Sequence, residues 1–472
     1  MRYLLIGIFG LLFYGVSNAQ DSTLSYHARI ETALSTAQTP FWLHANQFGT
    51  IPVQGSFVAG QVGLSKLSAR PGNKQKFFTY SAGIELAAYA GPQSAVFLTD
   101  AYVAGWIGPV EVSAGQRKEI VGLVDTTLTS GSFAISGNSR PYPRVQLSIP
   151  RFLSLGFTGN FVAFKGSYSD GLLGSSAVKS ANTDDVPYTF LHHKSLYVRL
   201  GKPAHNVHIY GGFNHQAMWG GDELIYSGGL TDKMAYEYVV LGKSWANSRV
   251  GNHFGTIDLG AEWRARDWTF FAYRQNIYED GSLAKLTNVT DGLNGLRINH
   301  YALYYPERLQ IRTFLLEFIN TKSQGGNIFD ITSKNFGRDN YYNHYVYKQG
   351  WSYRGRSLGS PAVPSQDLLR PDLPRNDSLF TTDNRILMVN AGITGRFQEF
   401  RFLARASISR HFGTYDYIIE PPRTQFSMLM QAEKSIPFAN TSIVSLKLAT
   451  DLGGLYPNSF ALMLGWRKEG IL

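Results

Sequence analysis

Cysteine is absent from all 472 residues. That excludes disulfide frameworks, thiolate metal sites and the cysteine-linked anchor of a lipoprotein. Charge is scarce as well: Asp, Glu, Lys and Arg make up 17% of the chain, against roughly a quarter in an ordinary domain. Beyond the first twenty residues no window reaches about eighteen consecutive apolar positions, so membrane-spanning helices are excluded. The formal charge of +10 is scattered rather than clustered, which argues against nucleic acid as a partner. It fits a solvated surface, an acidic polysaccharide or anionic lipid head groups.

Glycine and aromatic residues are abundant instead. Gly supplies 48 residues and Phe, Trp and Tyr 14% of the chain. A transmembrane β-barrel needs this mixture for its aromatic girdles and small lumen residues, although a large soluble β-sandwich could share it. The first residues, "MRYLLIGIFGLLFYGVSNAQ", place Arg2 before an apolar core from Leu4 to Val16 and the small residues Ser17, Asn18 and Ala19. They read as a signal peptide over 1–19, leaving 20–472 as a single domain. An exported chain without disulfides points to a bacterial envelope.

Alternation separates barrel from sandwich. Phe78, Tyr80, Ala82, Ile84 and Leu86 share one parity against Thr79, Ser81, Gly83 and Glu85. Phe314, Leu316 and Phe318 oppose Thr313 and Glu317, and Phe402, Ala404, Ala406 and Ile408 oppose Arg401, Arg405, Ser407 and Ser409. Phe460, Leu462, Leu464 and Trp466 close the series against Ala461 and Gly465. The polar parity carries Gly, Ser, Thr, Asn and Gln with few charges, unlike the Lys- and Glu-dense face of a soluble sheet. The expected fold is all-β: a transmembrane antiparallel β-barrel of about 16–18 strands with long extracellular loops. Connections at 117–141, 168–186, 217–234, 279–307 and 322–382 are too long for periplasmic hairpins.

Chemical motifs are weak. "GRSLG" from Gly355 to Gly359 matches a nucleophile elbow, but Pro361 and Pro364 forbid the helix that elbow requires. His192 and His193 are adjacent in "PYTFLHHKSLYVRLGK", so on a strand they point apart and cannot chelate one metal. The parity puts His193 and Arg199 in the lumen, and His192 and Lys194 where the lipid-facing stripe meets head groups. His205, His208 and His215 are read on one strand, with the first two on opposite faces. Arg199, Glu262, Glu317, Arg396, Arg401, Arg405 and Lys447 are lumen-parity charges that could pair and close the barrel. In 322–382, Tyr341, Tyr342, Asn343, Tyr345, Tyr347, Trp351, Tyr353, Arg354 and Arg356 fall within sixteen residues. Aromatic rings stack on the C–H faces of sugars, and Arg recognises a uronate carboxylate. The same aromatics could simply pack the loop into the barrel mouth or join the interface girdle.

Several blocks occur in a telling order: "TPFWLHANQFGTIP", "FLHHKSLYVRLG", "NHQAMWGG", "YRQNIYEDGSL", "DGLNGLRI", "LLEFINTKSQGG" and "DNYYNHYVYKQGWSYRGRSLGSP". Together they resemble the capsule assembly Wzi family in its Bacteroidetes-type form, over nearly the whole mature chain. The resemblance implies an outer-membrane barrel of about eighteen strands that helps attach capsular polysaccharide as a lectin-like anchor rather than an enzyme. Enterobacterial members close the periplasmic side with a small helical part; here "LSYHARIE" alternates like a strand. The chain ends in "WRKEGIL" rather than on an aromatic, which leaves that role to Trp466. The expectation is a monomeric, non-enzymatic barrel in the outer membrane of a Gram-negative bacterium. Its partners would be capsular or exopolysaccharide and the surrounding lipid and lipopolysaccharide, with no cofactor, metal or nucleic acid. A porin-like or export channel for saccharides is the alternative, and an outer-membrane enzyme would need a compact acid/base or Ser–His cluster.

Overall fold

The computed structural model describes residues 22–68, 78–245, 248–279, 286–301, 308–330, 335–436 and 442–472. The expected signal peptide, 1–19, lies outside them. Eighteen strands form the wall: β1 (Ser22–Ser35), β2 (Phe57–Ser68), β3 (Phe78–Ala90), β4 (Ala95–Ile107), β5 (Val110–Gln116), β6 (Arg144–Ser154), β7 (Val162–Ala177), β8 (Asp185–Leu200) and β9 (Val207–Trp219). β10 (Asn252–Ala265), β11 (Trp268–Tyr278), β12 (Gly292–His300), β13 (Leu309–Asn320), β14 (Ile386–Phe397), β15 (Phe400–Gly413), β16 (Ile418–Ile436), β17 (Ser442–Gly453) and β18 (Ser459–Ile471) complete it. Each strand pairs with its chain neighbour, and β18 returns to β1 from Ser25↔Ile471 to Ser35↔Ala461. Closure leaves no edge, so every strand finds a ladder partner on both sides. A sheet in hydrocarbon requires this, because no water is there to satisfy free N–H and C=O groups.

The alternation read from the sequence is the in–out pattern of the wall. Phe78, Ile84 and Leu86 are exposed on the outside, while Thr79, Ser81 and Glu85 are buried inside. Phe314, Leu316, Phe318, Ile408, Phe460 and Leu464 face outward, and Glu317, Arg405, Ser407 and Ala461 inward. Short turns such as 108–109, 266–267 and 398–399 lie at one end together with both chain ends of the barrel. Connections 36–56, 117–143, 220–251 and 321–385 lie at the other. In outer-membrane barrels the long-loop end is extracellular.

Some expected loops shrink. β7 and β8 run through most of 168–186 and leave 178–184 as the connection, and 279–307 contains β12. The connection expected at 217–234 starts later, at 220, and extends to 251. His205 sits in the turn before β9 rather than on a strand with His208. Where β7, β8 and β12 shorten an expected loop, the inter-strand ladder extends a strand through Gly- and polar-rich sequence that local pattern reads as loop.

An eighteen-stranded wall encloses more space than wall side chains can fill. Segments 36–56, 117–143 and 321–385 fold inward and fill the extracellular half of it. Their large side chains Trp42, Leu128, Phe133, Tyr341, Tyr342 and Trp351 are fully buried. Close approach is helped by small residues: a Cβ on Gly359 would lie 2.0 Å from the Tyr342 hydroxyl. Contacts to the wall run around the circumference. The Phe41 amide donates to Asp451 on β17, and Trp42 Nε1 donates to Ser407 on β15. The Phe133 amide donates to Gln275 on β11, and Gln349 reaches Thr189 on β8. Lys118 reaches Glu85 on β3.

The 220–251 connection does the opposite and folds over the outer wall. Its helix α1 (Asp232–Leu241) is capped by Thr231, whose side chain accepts from the Met234 amide, and ends at Gly242 in the left-handed region. Ala235 and Val239 pack on Ala217, Trp219, Leu230 and Val250. Beneath it lies a polar patch on outward-facing positions. His192 Nδ1 is 2.8 Å from Asp170, Tyr236 donates to Asp170, and Lys194 Nζ donates to the Val240 carbonyl. His192 and Lys194 therefore have the outward parity expected of them. His192, however, is fully buried beneath the helix and does not meet head groups, while Lys194 stays half-buried with its Nζ on the Val240 carbonyl.

Candidate functional site

At the extracellular mouth the plug leaves two adjoining clefts of about 460 Å³ and 330 Å³. They lie on either side of a small hairpin in which Ser352 pairs with Ser357 and Tyr353 with Arg356. Its two central residues, Arg354 and Gly355, both have positive φ, at 52° and 75°. A two-residue hairpin turn of this hand requires it. Glycine meets the requirement without strain, whereas a side chain as large as arginine there is uncommon and worth a functional explanation. Arg354, Gly355, Ser365 and Asp367 line both clefts.

The larger cleft is assembled from distant segments. Gln38, His44 and Gln54 come from the 36–56 connection, Tyr89 from β3, and Asn138 and Arg140 from 117–143. The Arg140 guanidinium lies 3.5 Å from the Phe97 ring centre and donates to the Tyr89 hydroxyl. Gly49 makes room for it: at φ 69°, a Cβ there would lie 2.7 Å from Arg140 Cγ. Arg356 donates to the carbonyls of His44 and Ile51. Burial, with the Arg140 charge nearby, pushes the Arg356 pKa down to about 10, so it remains a cation at neutral pH. Burial and the Arg356 charge hold His44 well below the usual histidine range, so its ring is neutral.

The aromatic-rich stretch is divided by the plug. Tyr341 donates to Asp291, Tyr342 to the Phe133 carbonyl and Tyr347 to the Gly220 carbonyl; all three are buried. Trp351 is fully buried and stacks on Phe254, with ring centres 5.4 Å apart. Asn343 is tied to Asn340 and Thr381. These five are packing and positioning groups, not an open glycan surface, because protein already covers the faces a sugar would use. Tyr345 is exposed beside His344 and is not among the residues that line the two clefts. Tyr353, Arg354 and Arg356 are the members of the set that line them. Ser357 of the elbow-like motif is buried, donates to the Gly359 carbonyl and accepts from Asn138. The structure also adds Arg140, His44 and Asp367, which the sequence reading did not single out. Of the three only His44 lies in a block quoted from the sequence, "TPFWLHANQFGTIP".

The lumen-parity residues do not form one group. Glu317 is buried under the plug and accepts from Thr129, Ser130, Tyr273 and Asn390. The Arg405 guanidinium lies 4.3 Å from the Trp42 ring centre. Lys447 donates to Glu31 on the neighbouring wall. His193 is buried inside, and the Arg199 guanidinium lies 5.4 Å from the Phe152 ring centre. Glu262 pairs with Arg264 near the short-turn end. Arg396 and Arg401 sit at the rim on that side, where Arg396 donates to the Gln398 carbonyl and Arg401 pairs with Glu433. The ion pairs of these residues run along the wall, and among the described residues none of the seven charges pairs across the lumen.

No protein-family model and no curated protein matches the chain by sequence. Among solved structures, the chain is similar to Wzi of Escherichia coli, an outer-membrane carbohydrate-binding β-barrel involved in group 1 capsule assembly. The TM-score is 0.58 at 13% identity, over 99% of this chain and 87% of that one. The fold is that of an outer-membrane barrel. OccAB4 of Acinetobacter baumannii also aligns, with TM-score 0.49 and 8% identity over 96% of this chain and 100% of that one.

Proposed function

We propose that this barrel is a non-enzymatic outer-membrane protein that binds capsular or exopolysaccharide at its extracellular mouth and retains it at the cell surface. The observation that carries the reading is the plug. Three inserted segments contact the wall around its circumference and leave the two clefts beside the Tyr353–Arg356 hairpin as open recesses of mixed polar and apolar lining. A filled lumen does not suit a wide saccharide channel, whereas clefts with Tyr, Arg, Gln and Asn side chains suit sugar hydroxyls and ring faces. The likeness to Wzi, a carbohydrate-binding barrel, supports the same reading.

The test is a deletion strain in which cell-bound and released polysaccharide are weighed separately. Cell-bound material should fall and released material rise. Unchanged cell-bound polysaccharide sinks the proposal. The double variant Tyr353→Ala, Arg354→Ala, with normal heat-dependent gel mobility, should reproduce the deletion. Planar-bilayer recordings separate the channel reading, which requires a stable open conductance that the plugged barrel should lack.

A further inference from the structure

The larger cleft has an imbalance of charge that the protein itself does not resolve. Arg140, Arg354 and Arg356 line it against one carboxylate, Asp367. Among the described residues none of the three arginines has a carboxylate oxygen within 4.0 Å, although ten arginine–carboxylate pairs occur elsewhere, including exposed ones. Arg356 meets only backbone carbonyls, and Arg140 a phenol and an aromatic face. Guanidinium groups beside one another and partly desolvated repel unless an anion joins them. His44 also lines the cleft, and burial with the Arg356 charge keeps its ring neutral, so it adds no positive charge of its own.

We propose that this cleft is a subsite for a carboxylate carried by the polysaccharide, such as that of a uronic acid. Arg140 and Arg356 take the carboxylate, and Arg354 covers it from the hairpin tip. The fixed fork of a guanidinium matches two carboxylate oxygens at once, which gives both affinity and direction to the bound sugar. The neighbouring cleft shares Arg354 and Asp367, so the next residues of the chain continue past the hairpin into it. This inference rests on the polysaccharide-binding reading and adds the ligand's charge to it.

Purified full-length barrel in detergent is titrated with the host strain's surface polysaccharide, native and after chemical reduction of its carboxyls to alcohols. Native material should bind at least about tenfold more tightly than reduced material, the size of one charge-assisted contact. Arg140→Gln and Arg354→Gln should each weaken binding of the native form more than that of the reduced form and so shrink the native preference towards one; both variants are checked for heat-dependent gel mobility. Arg356 is left in place because it ties the hairpin to the 36–56 segment. Equal binding of native and reduced material by the unaltered protein overturns the carboxylate subsite while leaving polysaccharide binding intact. Absence of binding by either form overturns both. Reduced binding of both forms by Arg354→Gln, with the native preference retained, also rejects the assignment.

Discussion

Replacing Glu317 with alanine should release the 117–143 segment from the wall without unfolding the barrel. One carboxylate oxygen accepts from the Thr129 hydroxyl at 2.7 Å and the Tyr273 hydroxyl at 2.5 Å. The other accepts from the Ser130 amide and hydroxyl, both at 2.6 Å, and from Asn390 Nδ2 at 3.1 Å. The three hydroxyls can rotate to new partners, and Asn390 keeps the Leu128 carbonyl. The Ser130 amide has no such freedom and is left buried and unsatisfied. Removing one side of a buried charged network costs about 3–5 kcal/mol, on the order of a thousandfold in the balance between docked and released segment. The ladders joining β12, β13 and β14 are backbone bonds and survive. Hydrogen exchange at amides 128–136 should therefore accelerate by about that factor, and planar bilayers should show new conductance, while heat-dependent gel mobility stays normal. Unchanged exchange at those amides would refute the idea that Glu317 anchors the plug. Glu317→Gln keeps one accepting oxygen and should fall between the two.

Trp351→Ala should lose about 3–5 kcal/mol of local packing against Phe254. Its effect on polysaccharide binding should thus come with faster exchange across the plug, whereas Arg354→Ala should weaken binding with exchange unchanged. Asp222 at the start of the outer flap has its carboxyl pushed up to about 6 by burial, helped by Asp232. An acid whose folded pKa is raised favours the folded form when protonated, so the flap should be most stable below its ordinary value of 3.8. That stability should decline as pH rises towards about 6, then stay level. Exchange at amides 232–241 measured from pH 4 to 8, corrected for intrinsic rates, should show this trend, and Asp222→Asn should flatten it. Deleting 232–241 would expose Asp170, His192 and Lys194 on the outer wall; the deleted barrel should melt at lower temperature in detergent, and an unchanged melting temperature would show that the helix does not protect this patch.

How far the sequence could be read depended on the range of the interaction. β3, β13, β15 and β18 were legible because the period-two pattern is local: adjacent strand residues must face opposite media, one lipid and one polar lumen. His192 shows the limit. Its parity gave the outward direction, but parity says nothing of a helix arriving from forty residues later to cover it. The aromatic stretch shows it again. Trp351 and Tyr353 are two residues apart and chemically alike, yet one is the centre of the plug and the other lines the cleft. The difference is made by a hairpin turn at Arg354–Gly355 and by Phe254, which stacks from the opposite wall.

The sequence by itself determined a wall of alternating strands, its orientation through loop length, and a long connection rich in tyrosine and arginine. Each follows from chemistry that acts within a few residues or within one connection. Only the tertiary structure decided that the lumen is filled and that an arginine-lined recess opens at the mouth. The enclosed space depends on all eighteen strands closing together, and Arg140, Arg356 and His44 come from three segments that meet only once it is filled.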